Sequence, residues 1–150
     1  IHGETDEQCL AKIEAAHRHG LTPVLCVGEG LEVREAGQHV EHTLEQVRGS
    51  IKGLPAEKVA QLVIAYEPVW AIGKAQPASA AHIVAVTQAL RARCLDEFPD
   101  RRDASLRILY GGSVKPSNAA ELMAVANVNG ALVGGASLKA SDFLAIAAGC

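Results

Sequence analysis

The sequence predicts an α/β fold with a parallel sheet, because four short apolar runs are each followed by a stretch with helical periodicity. The runs lie at residues 22–28, 62–65, 106–110 and 131–133, and one further helix precedes them. They do not alternate with polar residues, which is typical of strands covered on both faces. No linker or change of composition divides the chain, so a single domain over residues 1–150 is expected. Repeated strand–helix units form either a doubly wound sheet or half of a (β/α)₈ barrel.

The first two predicted helices are defined by a capping pattern and by apolar spacing. Thr5 and Gln8 are spaced as in a capping box, and the helix they begin is expected to end at Gly20. Apolar residues then recur at helical intervals across residues 31–52, with charged residues on the other side. One amphipathic helix is therefore predicted over residues 31–52, and Gly53 is expected to stop it.

Serine residues mark the beginnings of the remaining predicted helices. Ser79 is expected to cap a helix that ends at Pro99. The charged residues 100–103 are expected to form a surface turn after it. Another helix is predicted to start near Ser117, and Ser141 is expected to cap the last one. A serine hydroxyl suits these places because it accepts a hydrogen bond from a backbone N–H of the first turn.

Composition and charge exclude several classes of function. The chain is 49% hydrophobic but 3% aromatic, so aliphatic side chains are expected to form the core. With a net charge of −3 and no basic stripe, neither a nucleic-acid nor a membrane partner is indicated, and no apolar run approaches a membrane span. The four cysteines lack disulfide or zinc spacing, and Cys26 is expected to be a buried free thiol in a reducing cytoplasm. The sequence begins at Ile1 without methionine, so a fragment is expected.

The candidate catalytic residue is Glu67, which follows the apolar run 62–65 closely. Pro68 bars Glu67 from helical geometry, so the carboxylate is expected at the rigid end of a strand. Residues 69–73 are apolar although they form a loop, as expected of a lid that closes over a ligand. A positioned, partly desolvated carboxylate under a lid suits abstraction of a proton next to a carbonyl group. Alone, the stretch would be interpreted as an ordinary glutamate at a strand end.

Glycine pairs follow the last two predicted strands. Glycine lets backbone N–H groups come close to a ligand, and N–H groups at the start of a helix suit an anion. Together, Gly112, Ser113, Gly134 and Gly135 predict a phosphate site, and Gly73 in the lid could add another N–H group. The loops after the last two strands of a barrel often form such a site. The alternative is that these glycines only relieve crowding, but two pairs and a lid glycine favour the phosphate.

No metal site is predicted, and the six histidines are all interpreted as surface residues. His39 and His42 could bind a metal from one helix face, but no third ligand lies near them in the sequence. Glu29, at the end of the run 22–28, and Trp70, in the lid, are both expected at the same edge of the sheet. The indole N–H could donate to the carboxylate there, or Trp70 could merely pack.

The motifs AYEPVWAIG, LYGGSV and GALVGGASL resemble the triosephosphate isomerase family, and PVLCVGE also fits it. The likeness covers essentially the whole chain but only the second half of that family's TIM barrel, which implies four parallel strand–helix units preceded by a helix. It implies a cofactor-free enzyme of glycolysis and gluconeogenesis that interconverts dihydroxyacetone phosphate and glyceraldehyde 3-phosphate. Glu67 would be the proton acceptor, and Gly73, Ser113, Gly134 and Gly135 would bind the phosphate. This mechanism is the family's known one and comes with the resemblance.

Two departures from the family pattern shape the expectations. The family's substrate-binding asparagine and lysine and its histidine electrophile lie in the first half of the barrel. The chain alone is therefore expected to be inactive. The resemblance also implies that the full-length protein is a homodimer. The family's lid motif AIGTGK is replaced by Ile72 and Gly73 followed by residues 74–77. That leaves an isomerase of a four-carbon ketose phosphate as an alternative. The chemistry of a phosphate-binding lyase or epimerase does not require a Glu-Pro pair followed by an apolar lid. A non-catalytic phosphate-binding half-barrel is a third possibility.

Overall fold

The structure is a computed structural model that describes residues 3–73, 77–97 and 106–150. Within these ranges, a parallel sheet consists of β1 (Val24–Val27), β2 (Val63–Tyr66) and β3 (Arg107–Tyr110), in that order. Its helices are α1 (Asp6–Arg18), α2 (Leu31–Glu35), α3 (His39–Ile51), α4 (Ala56–Val59), α5 (Ala80–Glu97), α6 (Ala119–Met123) and α7 (Ala140–Ala147). Short 3₁₀ turns lie at Val69–Ala71 and Gly135–Leu138. The predicted parallel α/β fold is confirmed.

Two of the predicted helix starts are confirmed by their hydrogen bonds. Gln8 N donates to Thr5 Oγ1 at 3.3 Å and Thr5 N donates to Gln8 Oε1 at 3.1 Å, which is the reciprocal pattern of a capping box. At α5, His82 N donates to Ser79 Oγ at 3.3 Å. The predicted closure at Pro99 and the turn at 100–103 lie outside the described residues.

Two predictions about helices are wrong. The single helix over 31–52 is two helices, α2 and α3, because the chain turns at Gly37 with φ 72°, a left-handed conformation that glycine adopts without steric cost. Ser141 lies inside α7, which begins at Ala140 and has no side-chain cap. Hydrophobic spacing alone does not show where one helix ends and the next begins, or which residue is the first of a helix.

The last predicted strand, 131–133, is reduced to one bridge between Ala131 and Tyr110. Tyr110 N donates to Gly130 O at 3.0 Å and Leu132 N donates to Tyr110 O at 2.9 Å, so the parallel ladder continues for a single residue. Among the described residues this segment has a strand neighbour on one side only. A segment paired on one side has fewer hydrogen bonds to hold it extended.

The two faces of β1, the edge strand of the described sheet, differ in burial. Leu25, Ile64 and Ile108 lie side by side on the face that the helices cover, and all three are buried. On the opposite face Val24 is 47% exposed and Cys26 is also exposed. The prediction that Cys26 is buried is wrong, because successive side chains of β1 point to opposite faces. All four cysteines are free thiols, and no helix in the described ranges combines the length and hydropathy that a membrane crossing requires.

Candidate active site

All five predicted site residues line one cavity at the carboxyl ends of the strands. The cavity measures about 580 Å³ and is bordered by Glu67, Gly73, Ser113, Gly134 and Gly135. These residues come from the end of β2, from the lid after it, from the loop after β3 and from the loop after the bridge at Ala131. Ligand sites of parallel α/β folds form at this edge, where the loops that follow the strands meet.

Glu67 is held at the tip of β2 by its backbone. Its N–H donates to Val27 O at 2.7 Å, and its side chain lies on the same face as Cys26. Burial raises the pKa of Glu67 above its usual value, although a hydrogen bond from the Cys26 thiol opposes the shift. Part of the Cys26 side chain faces solvent, but its partial burial and the negative charge of Glu67 raise the pKa of its thiol to about 11, so the thiol stays protonated and can donate. A carboxylate with a raised pKa is a stronger base than one in water.

Two glycines make room for Glu67. A Cβ at Gly111 would lie 2.5 Å from Glu67 Cγ and 2.9 Å from its Oε1, and a Cβ at Gly28 would lie 1.9 Å from Glu67 O. A Cβ at Gly112 would lie 2.1 Å from Tyr110 Oη. The crowding interpretation therefore holds for Gly111 and Gly112. Sequence reasoning missed the part that Gly28 and Gly111 play, although their position directly after β1 and β3 was a signal for it.

The glycines of the second pair have open space in front of them. A Cβ at Gly134 or Gly135 would meet no atom within 4 Å. No hydrogen bond joins the N–H of either glycine to another of the described residues, and Gly135 begins a 3₁₀ turn. Gly73 has φ 66°, and a Cβ there would also meet open space. Lys115, which the sequence reasoning did not single out, lines the same cavity and adds a positive charge. These groups can surround a bound anion.

The lid is fastened on both sides of residues 74–76, which lie outside the described ranges. Before them, Trp70 Nε1 donates to Glu29 Oε1 at 2.6 Å, which confirms the predicted pairing. After them, Ala78 N donates to Tyr110 Oη at 3.1 Å. Ile72 is 47% exposed between these two points, as expected of an apolar loop that faces a ligand. Of the residues 74–77 that depart from the family's lid motif, the structure describes only Pro77.

The buried Glu29 and two partly buried histidines form a cluster next to Trp70 of the lid. Burial alone would raise the pKa of Glu29, but hydrogen bonds from His82, Trp70 and Tyr66 hold its pKa below the usual value. His82 Nε2 lies 3.2 Å from Glu29 Oε1, and the ring of His39 stacks on that of His82 with centroids 4.5 Å apart.

The interpretation of all six histidines as surface residues is wrong for His39 and His82, which are partly buried where α3 and α5 pack against each other and their rings stack. It is also wrong for His17, which is partly buried and whose Nε2 atom is covered. His2 lies outside the described residues. In the described part of the chain, no group of three or more His, Cys, Asp or Glu side chains could hold a metal ion.

Comparison with known proteins identifies the family. The family model described as triosephosphate isomerase matches residues 1–150. The triosephosphate isomerase of Nocardia farcinica is 56% identical over 147 residues, or 98% of this chain and 56% of that protein. That of Streptomyces avermitilis is 54% identical over 146 residues, or 97% of this chain and 57% of that protein. A crystal structure of triosephosphate isomerase from Bartonella henselae matches with a TM-score of 0.85 and 43% identity, covering 99% of this chain and 58% of that chain.

The chain thus spans a little over half the length of the curated relatives it matches. The likeness extends over nearly the whole chain in both sequence and structure, and the parallel sheet with its helices corresponds to part of a TIM barrel. The chain therefore belongs to the triosephosphate isomerase family.

Proposed function

We propose that the full-length protein containing this chain interconverts dihydroxyacetone phosphate and glyceraldehyde 3-phosphate. The observation that carries the proposal is that the Glu67 carboxylate borders the same cavity as Gly73, Gly134 and Gly135. A base and an anion site facing one space suit a substrate that has an acidic C–H group and a phosphate. The relatives named triosephosphate isomerase support this substrate.

In this proposal the phosphate is bound by the N–H groups of Gly73, Ser113, Gly134 and Gly135, and the carbonyl end of the substrate lies against Glu67. Glu67 takes a proton from C1 of dihydroxyacetone phosphate, which leaves an enediolate. After a proton has moved from the hydroxyl group on C1 to the oxygen on C2, Glu67 returns its proton to C2, and the aldehyde forms at C1. The raised pKa favours the first step, because a stronger base accepts the proton more readily. The apolar lid excludes water from the intermediate. In this family, the groups that polarise the carbonyl of the substrate lie in the first half of the barrel.

We further infer that the full-length enzyme is a cytoplasmic homodimer in glycolysis and gluconeogenesis, without a cofactor, and that residues 1–150 alone are inactive and associate. Large apolar side chains support the last point. Leu21 is 64% exposed, Leu138 88% and Leu144 67%, which favours association with further protein surface. The four free thiols are consistent with a reducing compartment.

Nothing in the described structure favours the alternative of a four-carbon substrate, since only Pro77 of the residues that suggested it, 74–77, is described. In a non-catalytic half-barrel, nothing would require a partly buried carboxylate with a raised pKa next to the proposed anion site. The three-carbon isomerase therefore accounts for more of the observed geometry than either alternative.

The test is Glu67→Gln in the full-length enzyme, measured with a coupled assay of glyceraldehyde 3-phosphate formation. Glutamine keeps the size of the side chain but cannot accept the proton, so kcat should fall by about 10²-fold to 10⁴-fold. Glu57→Gln is the matched control, because Glu57 is exposed on α4 and is not among the residues that line the cavity. Circular dichroism should show that both variants are folded. An unchanged kcat for Glu67→Gln would refute the assignment of the base.

A further inference from the structure

The side chain of Glu29 is fully buried and accepts hydrogen bonds from three neighbouring side chains. Its exposed fraction is 0%, and that of the His82 side chain is 9%. Trp70 Nε1 donates at 2.6 Å to Oε1, and Tyr66 Oη donates at 3.0 Å to Oε2. His82 Nε2 lies 3.2 Å from Oε1 and 2.8 Å from Tyr66 Oη. A buried carboxylate depends on such donors, because no water stabilises its charge.

The arrangement fixes which nitrogen of His82 carries a proton. Tyr66 has one hydroxyl proton, and it points to Glu29, so its oxygen accepts a hydrogen bond from His82. If Nε2 lacked a proton, its lone pair would face the carboxylate oxygen at 3.2 Å and repel it. The protonated Nε2 instead donates to Glu29 Oε1 and to Tyr66 Oη. His82 thus completes the set of donors around Glu29 and holds Tyr66 in line with it.

Trp70 depends on this cluster for its orientation. Its ring meets His82 edge-on with centroids 5.3 Å apart, its N–H is bound to Glu29, and Arg34 lies over it at 3.7 Å. Trp70 is two residues from Ile72 and three from Gly73, both of which line the cavity. A rotation of the carboxylate of Glu29 would therefore move the indole and, with it, the beginning of the lid.

We propose that His82 is a positioning residue for the isomerisation: it orients Glu29 and Tyr66 through its Nε2–H, and Glu29 in turn sets Trp70 and the lid. The proposal rests on the proposed function, since the lid acts only when the substrate phosphate reaches Gly73. His39 supports His82 from the other side. The two rings stack at 4.5 Å, and stacking restricts the rotation of the imidazole about its χ angles.

The experiment compares His82→Gln with His82→Leu in the full-length enzyme. Glutamine has an amide N–H donor of similar reach, whereas leucine fills the space without a donor. His42→Leu is the matched control, because His42 is an exposed histidine of α3 that makes none of these contacts. Three quantities are measured: kcat and KM for glyceraldehyde 3-phosphate, the rate with glyceraldehyde, and the fluorescence emission of Trp70. The emission is assigned by subtracting the spectrum of Trp70→Phe.

His82→Leu should lower kcat/KM for glyceraldehyde 3-phosphate by about tenfold, the value of one hydrogen bond to a charged group. It should also shift the emission of Trp70. The rate with glyceraldehyde, which has no phosphate to reach Gly73, should change less than twofold. His82→Gln and His42→Leu should stay within about twofold of the parent in all three quantities.

The proposal is overturned if folded His82→Leu keeps the parental emission of Trp70, or if His82→Gln and His82→Leu are impaired equally. Equal impairment would mean that His82 acts through packing on His39 and not through its N–H. A parent enzyme without activity on glyceraldehyde 3-phosphate would refute the proposed function separately. In that case the emission of Trp70 still decides whether His82 orients the indole.

Discussion

Gly111→Ala tests whether the position of Glu67 is set by the loop after β3. The new Cβ would lie 2.5 Å from Glu67 Cγ, whereas carbon atoms in contact are about 3.5 Å apart, so the side chain would have to move by about 1 Å. The backbone of Gly111 cannot easily retreat, because its N–H donates to Tyr66 O at 2.8 Å. Its φ lies outside the left-handed region, so alanine adds no backbone strain of its own.

A displacement of about 1 Å in a catalytic group can lower the rate by about 10²-fold, and we expect a loss of that size in kcat of the full-length Gly111→Ala enzyme. KM should change little, because the loop around Gly135, which we propose binds the phosphate, is untouched. Overpacking should lower the free energy of unfolding by about 1–3 kcal/mol, measured by urea denaturation. Gly30→Ala is the control, since a Cβ there meets no atom within 4 Å. A folded Gly111→Ala enzyme with the parental kcat would refute this account of how Glu67 is placed.

Two further predictions concern the charge of Glu67 and the anion site. Because burial raises its pKa, the Glu67 carboxyl should take up a proton at a higher pH than the ordinary 4.5, and the base should be lost as pH falls through that raised value. A ¹³C NMR titration assigned with Glu67→Gln checks this, and a midpoint at or below 4.5 contradicts it. Gly135→Val should weaken inhibition by inorganic phosphate by about tenfold, because a branched side chain would occupy the space of the anion. Ser113→Ala, which keeps the backbone N–H group, should weaken inhibition by phosphate less. If phosphate inhibits the Gly135→Val enzyme as strongly as its parent, the glycines of that loop serve packing and not anion binding.

The sequence by itself determined the features that depend on neighbouring residues. The capping box of Thr5 and Gln8, the cap of Ser79 and the strand that precedes Glu67 are all where local patterns placed them. The pairing of Trp70 with Glu29 also followed, because both were expected where parallel strands end at one edge of the sheet. Capping hydrogen bonds and apolar periodicity act over a few residues, so they can be read along the chain.

The tertiary structure alone decided which side chains are covered and what they touch. Cys26 is exposed although its neighbours in the sequence are apolar, because it lies on β1, the edge strand of the described sheet, and points away from the face on which Leu25 and Val27 are buried. His82 is largely covered although it lies in the first turn of α5, directly after exposed residues, because α3 packs against α5 and brings the ring of His39 against that of His82. Gly111 limits the movement of Glu67 although a whole helix separates them along the chain. Each of these contacts joins residues that are distant in sequence, and their geometry follows from how helices and strands pack, which no local pattern specifies.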